Sequence, residues 1–245
     1  MAIKAFFMIF CLISFLYVFY VLRKLVYFLS DTNEPQRTLL LSLKDENLNV
    51  STAWALFIDY LLISVFILQH SLMASDTVKN MLKKLYINEI ERSFYNICSA
   101  AVLSLLLDNW QFISWISIWS LDISNSNILW LMFMGIHIMG WFMIYGGCLM
   151  MDISELSGFI QVWNKDLVNS RRIKSRELQR YYSHMRHPSF LGFLIILWIH
   201  PFMTLDRFLL ASVITMYMLL MWNVDKEDYH YQINCFKQKQ REQVF

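Results

Sequence analysis

The stretch ILWLMFMGIHIMGWFMIYGGCLMM, Ile128 to Met151, contains no Asp, Glu, Lys or Arg, and His137 is its one basic side chain. A surface helix of a soluble protein keeps a polar face; this segment is apolar all round, and about 20 such residues cross the hydrocarbon core of a bilayer. The same signature recurs on either side of it. Ala5 to Leu22 is free of charge up to Arg23-Lys24, is too long for the apolar region of a signal peptide and has no small-residue cleavage site, so it reads as an uncleaved first span. Trp54 to Met73 follows with Asp59 inside it, and a third run starts at Ser93 and reaches about residue 113 across Asp108. Beyond the central stretch come Pro188 to Leu205 and Phe208 to Val224, separated by Asp206-Arg207. At a rise of 1.5 Å per residue these last two give about 24–27 Å each, a tight hairpin that barely reaches the far leaflet. The expectation is an all-α, multi-pass membrane bundle occupying 1–245 as a single domain, with six spans at 5–22, 54–73, 93–113, 128–151, 188–205 and 208–224. A basic loop fills 152–187 and a short tail 225–245.

Composition agrees. Apolar residues make up 57% of the chain and charged residues 16%, against about 45–50% and 25% in an average globular protein. With only 6 Gly and 3 Pro the chain has too few breakers for a many-turned β protein, and no glycine-rich phosphate loop occurs. A net charge of +2 gives no direct nucleic-acid surface. Cys11, Cys98, Cys148 and Cys235 stand far apart without a CxxC pair, so they read as small hydrophobes and no metal site is expected.

Orientation follows from the basic residues. With six spans, the N-terminus, 75–92, 152–187 and the tail share one side and hold 16 of the 21 Lys and Arg, which places both termini in the cytosol or nucleoplasm. Between spans two and three, Val78, Met81, Leu82, Leu85 and Tyr86 fall on one helical arc and Lys79, Lys83 and Lys84 on another, the pattern of an interfacial helix beside anionic headgroups.

Ionisable groups inside spans are costly and mark either function or interhelical hydrogen bonding. Asp59, His70 and His137 are the candidates, and packing is the plainer reading for each. His200 precedes Pro201, which is expected to kink span five. No carboxylate pair, Ser/His/Asp set or HExxH motif can be assembled. The most informative stretch is SRRIKSRELQRYYSHMRHPSFLG, Ser170 to Gly192, where a basic run ends at Arg186-His187-Pro188 against an apolar helix. Proline suits the first turn of that helix, whose amides and dipole would face an anion beside Arg186 and His187; a basic flank that only fixes topology is the alternative. On the same side, after span six, Asp225 and Asp228 lie one turn apart, able to pair with Arg186 or to hold a cationic ligand.

These residues resemble a known family. RHPSFLG followed by two apolar helices and an acidic pair is similar to the RHPxY…EE signature of the isoprenylcysteine carboxyl methyltransferase superfamily, multispan proteins that bind S-adenosylmethionine at the cytosolic membrane face. Within that superfamily the chain more closely resembles the nurim family of the inner nuclear membrane, through QHSLMA (Gln69 to Ala74), ERSFY (Glu91 to Tyr95), DISELSGFIQV (Asp152 to Val162), SHMRHP (Ser183 to Pro188), LWIHPFMTLDRFLLA (Leu197 to Ala211) and DKEDYHY (Asp225 to Tyr231). QHSLMA and ERSFY also resemble the methanethiol S-methyltransferase branch. The resemblance implies S-adenosylmethionine as cofactor, with Arg186, His187, Pro188 and Gly192 matching the cofactor motif and Glu227 or Asp228 the acidic pair. Tyr182, Asp225 and His70 match less closely. Phe190 replaces the usual tyrosine and Arg180 a frequent glycine, departures that weigh against turnover. Two functional classes follow: a structural protein of the nuclear envelope with lipid and envelope proteins as partners, or a methyltransferase acting on a lipophilic, thiol or carboxylate acceptor.

Overall fold

The computed structural model describes residues 2–31, 48–84, 88–123, 125–150, 153, 157–163 and 189–221. Its long helices are α1 (Ala2–Ser30), α2 (Leu48–Ala74), α4 (Glu91–Asn109), α5 (Asn127–Met150) and α8 (Leu205–Met221). Shorter ones are α3 (Asp76–Lys84), α6 (Phe159–Trp163) and α7 (Phe190–Trp198). Neither α1 nor α2 contains Gly or Pro, so nothing in the sequence interrupts them. Among the described residues three helical stretches, Lys4–Ser30, Asn49–Ala74 and Asn127–Gly146, are long and apolar enough to cross a membrane. The all-α class holds, with one small addition. Strand β1 (Ser117–Ser120) pairs antiparallel with β2 (Phe202–Thr204) in a two-stranded ribbon, with an irregularity in register between Ser117 and Trp119.

The bundle places polar groups inside and large apolar side chains outside. Asp59 and Ser93 are fully buried, whereas Phe142 is 76% and Ile128 73% exposed. That arrangement suits lipid, where the outer surface gains nothing from polarity and every buried polar group needs a partner. An inner apolar cluster still exists, built from Leu29, Ile63, Leu106, Ile144, Ile196 and Leu210 of six different helices.

Helix α1 continues past Arg23-Lys24, where the sequence reading ends the span, to Ser30. The reason is tertiary: Lys24 forms an ion pair with Asp108 of α4 and donates to the Ser104 hydroxyl at 3.2 Å. The same contact explains how Asp108 is tolerated in the third apolar run. Helix α3 occurs where the interfacial helix is expected, with Leu82 buried and Met81 exposed; Leu85 and Tyr86 lie outside the described residues.

The expected final hairpin is corrected. Its first helix does not run through Pro201 with a kink; it stops at Trp198, and the chain turns through Ile199 and His200 into β2. Proline there cannot donate a helical hydrogen bond. Its carbonyl instead accepts from Leu121 N–H at 2.9 Å, beside the ribbon. Helix α8 then starts at Leu205, so Asp206 and Arg207 lie in its first turn rather than in a connector.

Candidate functional site

Apart from the Lys24–Asp108 pair, two polar networks among the described residues hold the candidate titratable groups. The first lies where α2, α4 and α8 meet. The Tyr95 hydroxyl is 2.9 Å from the ring nitrogens of His70, whose other face stacks on Phe66 with ring centroids 5.7 Å apart. One residue to either side, Gln69 donates to Ser99 Oγ at 3.4 Å and the Ser71 hydroxyl meets Tyr217 at 3.2 Å. QHSLMA and ERSFY are thus two halves of one interhelical contact, completed by α8.

ERSFY also joins DISELSGFIQV. The buried Ser93 hydroxyl donates to the Ser157 carbonyl at 2.8 Å and contacts Cys11 Sγ at 3.0 Å, while Ser14 Oγ donates to the Ser93 carbonyl at 2.8 Å. Gly158, at φ 86°, sits so close that a Cβ there would come 2.5 Å from Ser93 Oγ. Only glycine adopts that backbone in that space without strain. Arg92 N–H donates to Gln161 Oε1 at 3.3 Å and extends the junction.

The second network is built around the ribbon. Asp59 and Asp206, from α2 and α8, clasp the segment that leaves α4. Gln111 N–H donates to Asp59 at 2.9 Å, and Trp110 Nε1 and Ile113 N–H donate to Asp206 at 2.9 and 3.3 Å. Trp141 Nε1 donates to Ser30 Oγ at 2.8 Å, and Ser30 lies 3.2 Å from His137 Nδ1. His137 Nε2 in turn faces the Ile199 carbonyl at 2.8 Å. A neutral imidazole with its proton on Nε2 meets both neighbours, donating to the carbonyl and accepting from the serine. His200 is held at both ring nitrogens: Nδ1 lies 2.9 Å from the Phe202 carbonyl and 3.2 Å from its N–H, and Nε2 faces the Asp31 carbonyl at 3.1 Å. The Arg207 guanidinium closes the set on the Leu29 carbonyl. LWIHPFMTLDRFLLA is therefore the block that locks α1, α2, α4, α5 and α8 at one end of the bundle.

Gly192 of RHPSFLG is buried against α5. A Cβ on it would come 2.6 Å from the Gly140 carbonyl and 2.8 Å from Ile144 Cγ1. It lets two helices approach closely. Arg186, His187, Pro188, Tyr182, Asp225, Glu227 and Asp228 lie outside the described residues, as does Cys235. Among the described residues no group of three or more His, Cys, Asp or Glu is arranged to hold a metal ion. Sequence reasoning placed Asp59 and His137 in packing networks and missed Asp206 and Ser93, which carry as many hydrogen bonds. The signal for Asp206 was an aspartate beside an arginine in a break too short for a loop.

No family model matches the chain, and no solved structure matches it. Similar curated proteins exist from insects to mammals. A Nurim homolog of Drosophila pseudoobscura pseudoobscura is 39% identical over 234 residues, covering 94% of this chain and 92% of its own length. Nurim of Bos taurus is 30% identical over 86% of this chain and 80% of its own, and Nurim of Danio rerio 36% identical over 72% and 66%. Identity of this level across nearly the whole chain, in a helical protein whose described residues include three helices fit to cross a membrane, shows that the chain belongs to the nurim family.

Proposed function

We propose that this nurim-family protein is a structural component of the inner nuclear membrane, with both termini in the nucleoplasm, and that it works through its bundle rather than by turnover. The observation that carries the reading is the use made of the family-like blocks: Ser93, Gly158, Gly192 and Asp206 are each spent on holding one part of the bundle against another. A catalytic site keeps polar groups aimed at a substrate; Ser93 and Asp206 spend theirs on other segments of the chain. The 16-to-5 division of basic residues supports the orientation, and the resemblance in six ordered blocks supports the location. Expressed with a fluorescent tag at either end, the protein is expected at the nuclear rim, and an engineered glycosylation site in 152–187 should stay unmodified. A glycan there, or an even spread through the endoplasmic reticulum, overturns the reading.

A second reading rests on RHPSFLG. Arg186 and His187 would hold the carboxylate end of S-adenosylmethionine, Glu227 or Asp228 its cationic part, and the cofactor would supply a methyl group on a good leaving group. Catalysis would then be mainly positioning and electrostatics. Purified protein titrated with radiolabelled S-adenosylmethionine separates the two. Saturable binding that falls about 10- to 150-fold in Arg186→Ala, the value of a charge-assisted contact, favours the enzyme. Folded protein that binds none at millimolar cofactor favours the structural role.

A further inference from the structure

The connector from α4 to α5 carries an unusual surface. Residues 110–121, WQFISWISIWSL, contain no Asp, Glu, Lys or Arg. Trp110 and Ile113 point into the bundle, yet Phe112, Ile116, Ile118, Trp119 and Leu121 are exposed, and β1 is exposed along its whole length. Exposed apolar side chains also occur on the elements to either side of it. Trp115 Nε1 donates to Thr52 Oγ1 at 2.9 Å and ties the segment to the start of α2, where Trp54 and Phe57 are exposed and stacked on each other. At its other end the connector leads to the exposed Ile128 and Leu131 of α5.

Several of its backbone groups find partners within the protein, on the side that faces the bundle. Asp59 and Asp206 take the Gln111 and Ile113 amides, the Pro201 carbonyl takes Leu121 N–H, and Leu205 N–H donates to the Ile116 carbonyl at 3.1 Å. In water these groups could be solvated at little cost; in lipid each one left unpaired costs several kcal/mol, and non-helical backbone survives at that depth only where the protein supplies its partners. Trp and Tyr also concentrate where hydrocarbon meets headgroups.

We propose that residues 110–121, backed by β2, form a re-entrant cap set into the bilayer at its headgroup boundary, with the outer face of β1 seated on lipid. The connector is then part of the membrane-embedded surface rather than an aqueous loop. The cap requires neither the nuclear location nor the cofactor reading, and needs only that the helices cross a bilayer. The test uses Ile118→Cys and Leu121→Cys, with Asn125→Cys as the control on the neighbouring polar turn. Each is built in full-length protein whose Cys98, Cys148 and Cys235 are alanine, and is labelled with a polarity-sensitive fluorophore in phosphatidylcholine vesicles carrying shallow spin-labelled lipid in both leaflets. Only variants with an unchanged melting temperature are used, and the two cap positions report independently. Labels at 118 and 121 should be quenched several-fold more by spin-labelled lipid than the label at 125, and less by iodide supplied on both sides. Iodide quenching at 118 and 121 equal to that at 125 overturns the proposal in favour of an aqueous ribbon. Protection from both quenchers, with crosslinking between copies through residue 118, overturns it in favour of an interface between chains.

Discussion

Asp206 is the residue on which the ribbon end of the bundle turns, because one carboxylate accepts both the Trp110 indole N–H and the Ile113 amide. Asp206→Ala leaves two buried donors without a partner, each costing about 1–3 kcal/mol. Its melting temperature in detergent should fall well below that of the parent, and Asp206→Asn, which keeps one acceptor oxygen, should fall less; unchanged melting in the alanine variant would show that the clasp is dispensable. The glycines give a graded comparison. A Cβ at Gly192 meets the Gly140 backbone oxygen at 2.6 Å, whereas one at Gly140 meets the movable Ile196 side chain first, at 2.9 Å. Gly192→Ala should therefore destabilise by about 1–3 kcal/mol, the usual cost of overpacking, and Gly140→Ala by less. The reverse order in thermal melts counts against the α5–α7 contact. Residue identity alone made Asp59 and His137 conspicuous, since a charge or imidazole inside a span needs a partner. It could not nominate Ser93, and Gly192 was singled out only by the resemblance, as a cofactor-motif residue; the packing role of each comes from what lies opposite.

Helices were the most legible elements, and their ends the least. The apolar runs located α1, α2, α4 and α5, because length and hydropathy suffice to define a span. Helix α1 passes Arg23-Lys24 because its Lys24 finds Asp108, a partner 84 residues away on another helix that no local pattern shows. That contact makes a testable prediction at this scale. Asp108 is 55% exposed on its side chain, so the coupling within the pair should be small. In a double-mutant cycle, Lys24→Met and Asp108→Asn together should cost less than the sum of the single changes; strict additivity of the melting shifts would mean no coupling. The stop of α7 at Trp198 was hidden for a related reason. Proline inside an apolar run is compatible with a kinked span or with a break, and only the pairing of β2 with β1 selects the break.

At the scale of the whole molecule, the proposed location predicts that a chain this apolar with few long polar segments is retained by its apolar helices. Removing Cys235 to Phe245 from the tagged protein should leave rim fluorescence largely intact, and dispersal through the endoplasmic reticulum on that deletion alone would show that the tail retains it. The amino-acid sequence by itself determined that the protein is an all-α membrane bundle, because the cost of placing a backbone in hydrocarbon leaves long apolar helices as the available answer. Its ordered blocks also carried the resemblance to the nurim family. The tertiary structure decided what those blocks do. Hydrogen bonds between Ser93 and Ser157, Tyr95 and His70, or Asp206 and Trp110 join residues far apart in the chain. Sequence periodicity records which side of a helix is apolar; a polar contact between helices depends on rotation, depth and crossing, and these are fixed only when the helices pack.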